Sequence, residues 1–172
     1  MKKHNGMRPQ DVVILLKIAA KENTQWLMKN LAQELEISPS EVSESINRSV
    51  LAGLLAADKR TLMRSALLEF LQHGLRYVYP QKPGSIVRGM ATAHAAAPLN
   101  KLIQSEEKYV LLWAEGKERG QSVEALHPSV PNACKRDNKL YELLALTDAL
   151  RLGRQREQKL AIDELEKRIS KR

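Results

Sequence analysis

The chain has little cysteine and few aromatic residues. Cys134 is the single cysteine among 172 residues, which excludes an intramolecular disulfide and a cysteine-based zinc cluster. Aromatic residues make up only 4% of the chain, so Leu and Ala supply most of the core and favour helix over sheet. The first apolar run, Val12 to Ala20, is interrupted by Lys17. We therefore expect neither a signal peptide nor a membrane span, and a cytoplasmic protein.

Signatures of catalysis are also lacking. The sequence contains no nucleophile elbow, phosphate loop, dinucleotide fingerprint or paired-carboxylate pattern. His4, His73, His94 and His127 have no metal-ligand spacing. Lys135 and Arg136 would lower the pKa of the Cys134 thiol, but no histidine partner follows from the spacing, so a structural cysteine is favoured. We expect no enzyme, no cofactor and no metal site.

The charge is strongly positive. Lys and Arg number 28 against 20 Asp and Glu, a net charge of +8. Apolar residues at 43% and charged residues at 28% are typical of a globular protein. The excess of positive charge favours a polyanionic partner, with a membrane surface as the rival explanation.

Three helices are predicted in the N-terminal third. Apolar residues spaced by three and four predict a first helix from Pro9 to Lys21 and a second, short one ending near Leu35. Ser38 then has the position of an N-cap, Pro39 of the first helical residue and Glu41 of the capping-box partner. The third helix should bury Val42 and Ile46 against Ala32 of the second.

This layout is that of a helix-turn-helix. Residues 31–43 (LAQELEISPSEVS) and 51–55 (LAGLL) resemble bacterial winged-helix transcription regulators of the MarR-like kind, over residues 8–60. The resemblance implies a winged-helix fold, sequence-specific DNA binding and a homodimer. The chain departs from the family after Arg60, because a helical pattern begins at Leu62 where a second wing strand would lie. We expect a minimal or absent wing.

The candidate DNA contacts fall in two groups. The third helix should expose hydrogen-bonding side chains to base edges in a major groove. Between Trp26 and Leu55, however, two basic residues stand against four acidic ones, a net charge of −2, so phosphate contacts must come from elsewhere. A three-helix unit used for protein contact is the alternative interpretation. The predicted DNA-binding residues are Ser38, Ser40, Glu41, Ser43, Glu44, Asn47 and Arg48 of the turn and third helix, with Lys59, Arg60 and Arg64 beyond it.

The rest of the chain mixes helices with two predicted strands. A fourth helix begins at Leu62 and can end at Gly74, and alternating residues predict strands over 75–79 and 109–113. Residues 80–98 have an irregular composition, which suits either a pocket lining or an ordered connector. Residues 115–120 have the composition of a charged turn. Apolar residues at helical spacing over 140–150 and 160–169 predict two further helices.

Together these patterns predict a mainly α fold. It comprises a winged-helix-like helix-turn-helix domain over residues 1–75 and a C-terminal α+β or helical region over 76–172. The expected function is a sequence-specific DNA-binding transcriptional regulator, with double-stranded DNA and a second copy of the chain as partners. The C-terminal region would supply the dimer surface and contact a small effector or a partner protein. The alternative is a protein-interaction adaptor that docks a partner through that region, and no membrane contact is expected.

Overall fold

The chain is mainly helical, as predicted. The computed structural model describes residues 5–22 and 24–170, and within them eight α-helices, two short 3-10 helices and three strands. The elements are α1 Pro9–Ala20, α2 Met28–Leu35, α3 Pro39–Leu51, α4 Arg64–His73, α5 Leu75–Val78, β1 Ile86–Thr92, the 3-10 helices Ala93–Ala95 and Leu99–Lys101, β2 Tyr109–Leu112, β3 Glu118–Val123, α6 Val130–Arg136, α7 Asn138–Leu152 and α8 Gln155–Ile169.

The turn between α2 and α3 is built from local signals in the sequence. Glu36 ends α2 in the left-handed region, at φ 54°. Ser38 caps α3 as predicted, since the backbone N–H of Glu41 donates to Ser38 Oγ over 3.2 Å. The reciprocal half of the capping box is not formed, because the Glu41 carboxylate accepts hydrogen bonds from Gln10 and Arg48 instead. The predicted start of α3, with Ser38 as N-cap and Pro39 as the first helical residue, is therefore confirmed, whereas the predicted capping box is only half formed.

Helix α1 lies at the centre of the molecule. Its residues from Asp11 to Ala19 are all buried, and it packs against α2, α3 and α7. One apolar cluster extends from Val12 in α1 to Ile169 in α8. The core is thus continuous across residue 75, and the functional division at that residue stays a prediction.

The predicted strand over 75–79 is wrong. Leu75–Val78 forms the short helix α5, which follows α4 directly after Gly74. The backbone N–H of Tyr79 donates to the carbonyl of Leu75 over 2.9 Å, a helical bond. Tyr77 and Val78 are both exposed, so the alternation of apolar residues that predicted a strand does not correspond to alternating burial.

A small sheet occupies the C-terminal half. Strand β2 confirms the prediction over 109–113, whereas β1 lies in the segment predicted to be irregular and β3 begins within the predicted turn. Strand β1 pairs antiparallel with both others, and β2 and β3 pair in parallel to close a barrel. A Cβ on Gly89 would lie 1.9 Å from the Leu111 carbonyl oxygen, so the strands cross only because this residue is glycine. Glycine has a weak strand propensity, so the residue pattern of this segment did not predict β1.

Candidate nucleic-acid interface

The outer face of α3 is polar and exposed. Ser40, Ser43, Glu44 and Asn47 are exposed there, and Ser38 and Ser40 share a hydrogen bond of 3.3 Å at the start of the helix. The opposite face buries Val42 and Ile46, and Ala32 of α2 is buried as predicted. Spacing of three and four residues thus separates a packing face from a hydrogen-bonding face, as a recognition helix requires.

Arg48 does not belong to that outer face, and its predicted exposure is wrong. Only 9% of the residue is exposed, and its guanidinium makes a bidentate ion pair with Asp11 of α1, at 2.8 and 2.7 Å. It also donates to Glu41 over 2.6 Å, which leaves Glu41 half-buried rather than exposed. The hydrogen bonds to Asp11 are the largest cause of a raised pKa at Arg48. Arg48 therefore fixes α3 to α1 and is not available to bases.

Part of the acidic charge of the helix-turn-helix is paired with cations from other parts of the fold. Glu34 is 2.8 Å from Lys17 and 2.9 Å from Lys21 of α1. Burial opposes ionisation of Glu34, but the hydrogen bonds from these two lysines lower its pKa. Glu41 pairs with Arg48 of the same helix, and Glu44, whose carboxylate lies 3.8 Å from Arg48, is the acidic group exposed on the outer face of α3.

Helix α6 holds the turn between α2 and α3. Asn132 Nδ2 donates to Glu36 Oε2 over 3.3 Å, and Arg136 lies 3.3 Å from Glu36 Oε1. Arg136 also donates to the backbone carbonyl of Glu34 over 3.0 Å. Neither residue was predicted from the sequence to contact the turn. They follow the turn by about a hundred positions, and no local pattern marks a contact over that separation.

A short hairpin follows α3. Leu55 and Leu62 form a single antiparallel bridge in it, at the position where a minimal or absent wing was expected. Asp58 organises the loop, since the backbone N–H groups of Arg60 and Thr61 donate to Asp58 Oδ1 over 2.8 and 2.9 Å. Lys59 takes the left-handed conformation at φ 60° and is exposed at the loop. The hairpin thus presents a positive charge next to the end of α3.

The other two predicted phosphate contacts differ in accessibility. Arg60 is exposed, donates to the Trp26 carbonyl over 3.1 Å and lies 5.9 Å from the centroid of the Trp26 ring. Arg64 is half-buried and donates to the Ile169 carbonyl at the end of α8, over 2.8 Å. Lys59 and Arg60 are therefore better placed for a partner than Arg64, whose guanidinium already binds α8.

Nothing in residues 5–22 and 24–170 assembles a metal site. No group of three or more His, Cys, Asp or Glu side chains there could hold an ion, and His4 lies outside the described residues. Cys134 is buried, and burial raises the pKa of its thiol, contrary to the effect expected from Lys135 and Arg136. In the same described ranges, no helix has both the length and the apolar character needed to cross a membrane.

Comparison with protein-family models, curated proteins and solved structures finds no match to this chain. The resemblance to winged-helix regulators therefore rests on residues 31–43 and 51–55 themselves.

Proposed function

We propose that this protein is a sequence-specific DNA-binding regulator. In this proposal α3 enters a major groove and the hairpin over residues 55–62 contacts the adjacent phosphate backbone. The observation that carries it is the exposed polar face of α3 beside a hairpin that exposes Lys59 and Arg60. Side chains such as Asn47 can pair with base edges, and lysine and arginine supply the contacts to phosphate.

The distribution of charge supports the same proposal. Negative groups close to a recognition helix would repel the phosphates, and the sequence places four glutamates there. Ion pairs from Lys17 and Lys21 to Glu34, and from Arg136 to Glu36, reduce that repulsion. Glu44 remains, and an exposed carboxylate on a recognition helix can accept a hydrogen bond from the amino group of cytosine.

The proposal includes a homodimer. One recognition helix reads only a few base pairs, and two copies related by a twofold axis double the length of the site. The region over residues 76–172 would supply the dimer surface. Sedimentation of the full chain measures this directly, and a monomer at all concentrations would contradict the dimer.

DNA binding is tested with the full-length protein and the DNA segment upstream of its own gene. Fluorescence anisotropy compares this segment with a shuffled duplex of equal composition, at several salt concentrations. We expect tighter binding to the upstream segment, and weaker binding to both duplexes as salt rises. A salt-independent interaction, or no binding to either duplex, would overturn the proposal in favour of a protein-interaction adaptor.

A further inference from the structure

Two arginines lie opposite each other on the small barrel. Strands β1 and β3 pair antiparallel, and their register places Arg88 directly opposite Arg119. Both side chains are exposed. Directly opposite residues of an antiparallel pair have Cβ atoms about 5 Å apart and project to the same face, so the two guanidinium groups are neighbours. We refer to Arg88 and Arg119 as the arginine pair.

The arginine pair has no anionic partner within the fold. In residues 5–22 and 24–170, neither guanidinium forms an ion pair or a hydrogen bond. Glu118 precedes Arg119, but successive residues of a strand project to opposite faces, and Glu118 pairs with Lys108 at 2.8 Å. Glu107, which lies just before β2, pairs with neither arginine. Both positive charges of the arginine pair are therefore uncompensated.

This arrangement is unfavourable unless an anion binds to it. Like charges directly opposite each other in a sheet destabilise it. A phosphate group accepts hydrogen bonds from guanidinium groups in a fixed, planar geometry, and its charge would remove the repulsion. Strand β1 pairs with β2 on one side and with β3 on the other, which fixes the position of Arg88. The barrel thus holds two phosphate-binding groups in place before any ligand arrives.

The arginine pair is connected to the turn between α2 and α3. The backbone N–H of Trp113 donates to the carbonyl of Arg88 over 3.4 Å. The Trp113 indole N–H donates to Asn132 over 3.1 Å, and the Asn132 side chain donates to Glu36 over 3.3 Å. Glu36 ends α2 immediately before the turn. Three hydrogen bonds therefore lead from the arginine pair to the candidate recognition unit.

The cations nearest this path are already paired. Arg136 lies 3.3 Å from Glu36, and Lys135 lies 3.4 Å from Glu115. Each of these pairs is neutral overall, so the arginine pair supplies an excess of positive charge beside them. Because residues 26–55 carry a net charge of −2 in a chain of +8, phosphate contacts must come from outside that segment.

We infer that the arginine pair is a binding site for a phosphate group of the DNA backbone, outside the groove that α3 would enter. Both guanidinium groups would bind the same phosphate, because they project from directly opposite positions. The contact would strengthen binding to every DNA sequence without reading bases. The assignment to DNA rests on the proposed function, whereas the binding of phosphate does not.

Phosphate binding is tested on the full-length protein without DNA. Inorganic pyrophosphate is added, and the Nε–Hε resonances of the arginine side chains are followed by NMR. We expect saturable shifts at Arg88 and Arg119 with one dissociation constant. In Arg119→Gln, the dissociation constant measured at Arg88 should rise about tenfold or more, because hydrogen bonds from a charged group are lost.

DNA binding is tested with the double variant Arg88→Gln, Arg119→Gln. In fluorescence anisotropy its affinity for a shuffled duplex should fall, and the slope of log affinity against log salt should decrease by about one unit, because one phosphate contact is lost. The matched control is Arg154→Gln, Arg156→Gln, which changes two exposed arginines at the start of α8 and should keep the wild-type slope.

Urea unfolding separates a loss of binding from a loss of folding. Replacing the arginine pair removes the repulsion between like charges, so the double variant should unfold at the same urea concentration as the wild type or at a higher one. A lower midpoint would contradict the inference that the two charges repel each other in the free protein.

The outcomes separate the site from its ligand. Absence of saturable pyrophosphate shifts at Arg88 and Arg119 would overturn the phosphate site. Pyrophosphate binding combined with a wild-type salt slope in the double variant would overturn the assignment to DNA in favour of a free phosphate compound. If the wild type binds no duplex, the proposed function fails, whereas the pyrophosphate titration still decides the phosphate site. The two failures are therefore distinguishable.

Discussion

Arg48 of α3 and Asp11 of α1 form a buried, bidentate ion pair, with Arg48 Nε 2.8 Å from Asp11 Oδ2 and Nη2 2.7 Å from Oδ1. Asp11 is completely buried and also accepts the backbone N–H of Arg8 over 2.8 Å. The pair crosses from the central helix to the candidate recognition helix. It fixes which face of α3 turns outward, and it does so with the one arginine that the helix contains.

Removing one partner of this pair should destabilise the fold. Arg48→Met leaves a buried carboxylate without its cation, and we expect a loss of about 3 kcal/mol or more in the free energy of unfolding. Asp11→Leu should also be destabilising. The double variant should lose less free energy of unfolding than the sum of the two single variants, because neither charge is then buried alone.

Urea unfolding monitored by circular dichroism measures the stability of all three variants, and Arg76→Met, at an exposed position, is the control. Additive losses would show that the pair is not coupled.

The packing of α3 gives a second prediction. Ile46 is only 1% exposed. Ile46→Ala removes buried methyl groups and leaves a cavity, so we expect a loss of about 2–5 kcal/mol. The matched substitution Leu51→Ala changes an exposed residue of the same helix and should cost far less. A similar denaturation midpoint for the two variants would mean that Ile46 does not pack in the core.

Base recognition is tested at Asn47. Asn47→Ala removes a side chain that can pair with adenine in two hydrogen bonds, and it should cost about 1–3 kcal/mol of binding to the specific duplex. Binding to a shuffled duplex should be almost unchanged. Gln33→Ala, an exposed polar residue of α2, serves as the control. Equal losses on both duplexes in an anisotropy titration would exclude base readout by Asn47.

Phosphate contact is tested at Lys59. In Lys59→Gln, binding to every duplex should weaken, and the slope of log affinity against log salt should fall by about one unit. Lys59 is the cleaner choice because Arg60 also bonds to Trp26 within the fold. Lys82→Gln makes the same change in net charge elsewhere on the surface. A salt slope that matches this control would place Lys59 away from DNA.

The ion pairs of Lys17 predict a pH dependence of stability. Lys17 is buried, 2.6 Å from Asp137 and 2.8 Å from Glu34. Burial alone would raise the pKa of both carboxyls, but the hydrogen bonds from Lys17 lower them below their ordinary values. The unfolded chain therefore binds more protons in acid than the folded one. The stabilisation is complete at neutral pH and is lost as the pH falls below about 5.

Lys17→Met is the variant that checks this dependence. Without the lysine, the folded-state pKa values of both carboxyls should rise, so stability should change less steeply between neutral and acidic pH. Lys108→Met, which breaks an exposed pair with Glu118, is the control and should retain the wild-type slope. Urea unfolding at a series of pH values provides the measurement. Parallel curves for Lys17→Met and the wild type would refute the assignment.

Local signals predicted the N-terminal half well. Pro9, the Ser38–Pro39 start and the spacing of Val42 and Ile46 each act within one or two helical turns, so they can be recognised in the sequence alone. The secondary structure of the C-terminal half was predicted less accurately from the sequence. Strand β1 depends on Gly89 and on partners at residues 109–112 and 118–121, and Leu75–Val78 has the composition of a strand but lacks a strand partner.

The sequence by itself determined the helical class, the helix-turn-helix register and the polar face of α3, because these follow from periodicity and capping within a few residues. Only the tertiary structure decided the electrostatics of that unit. In residues 26–55, a segment of net charge −2, Glu34 pairs with Lys17 and Lys21 and Glu36 pairs with Arg136. Asp11 directs Arg48 inward. Ion pairs depend on distance in space, and the folded chain sets that distance independently of separation along the sequence.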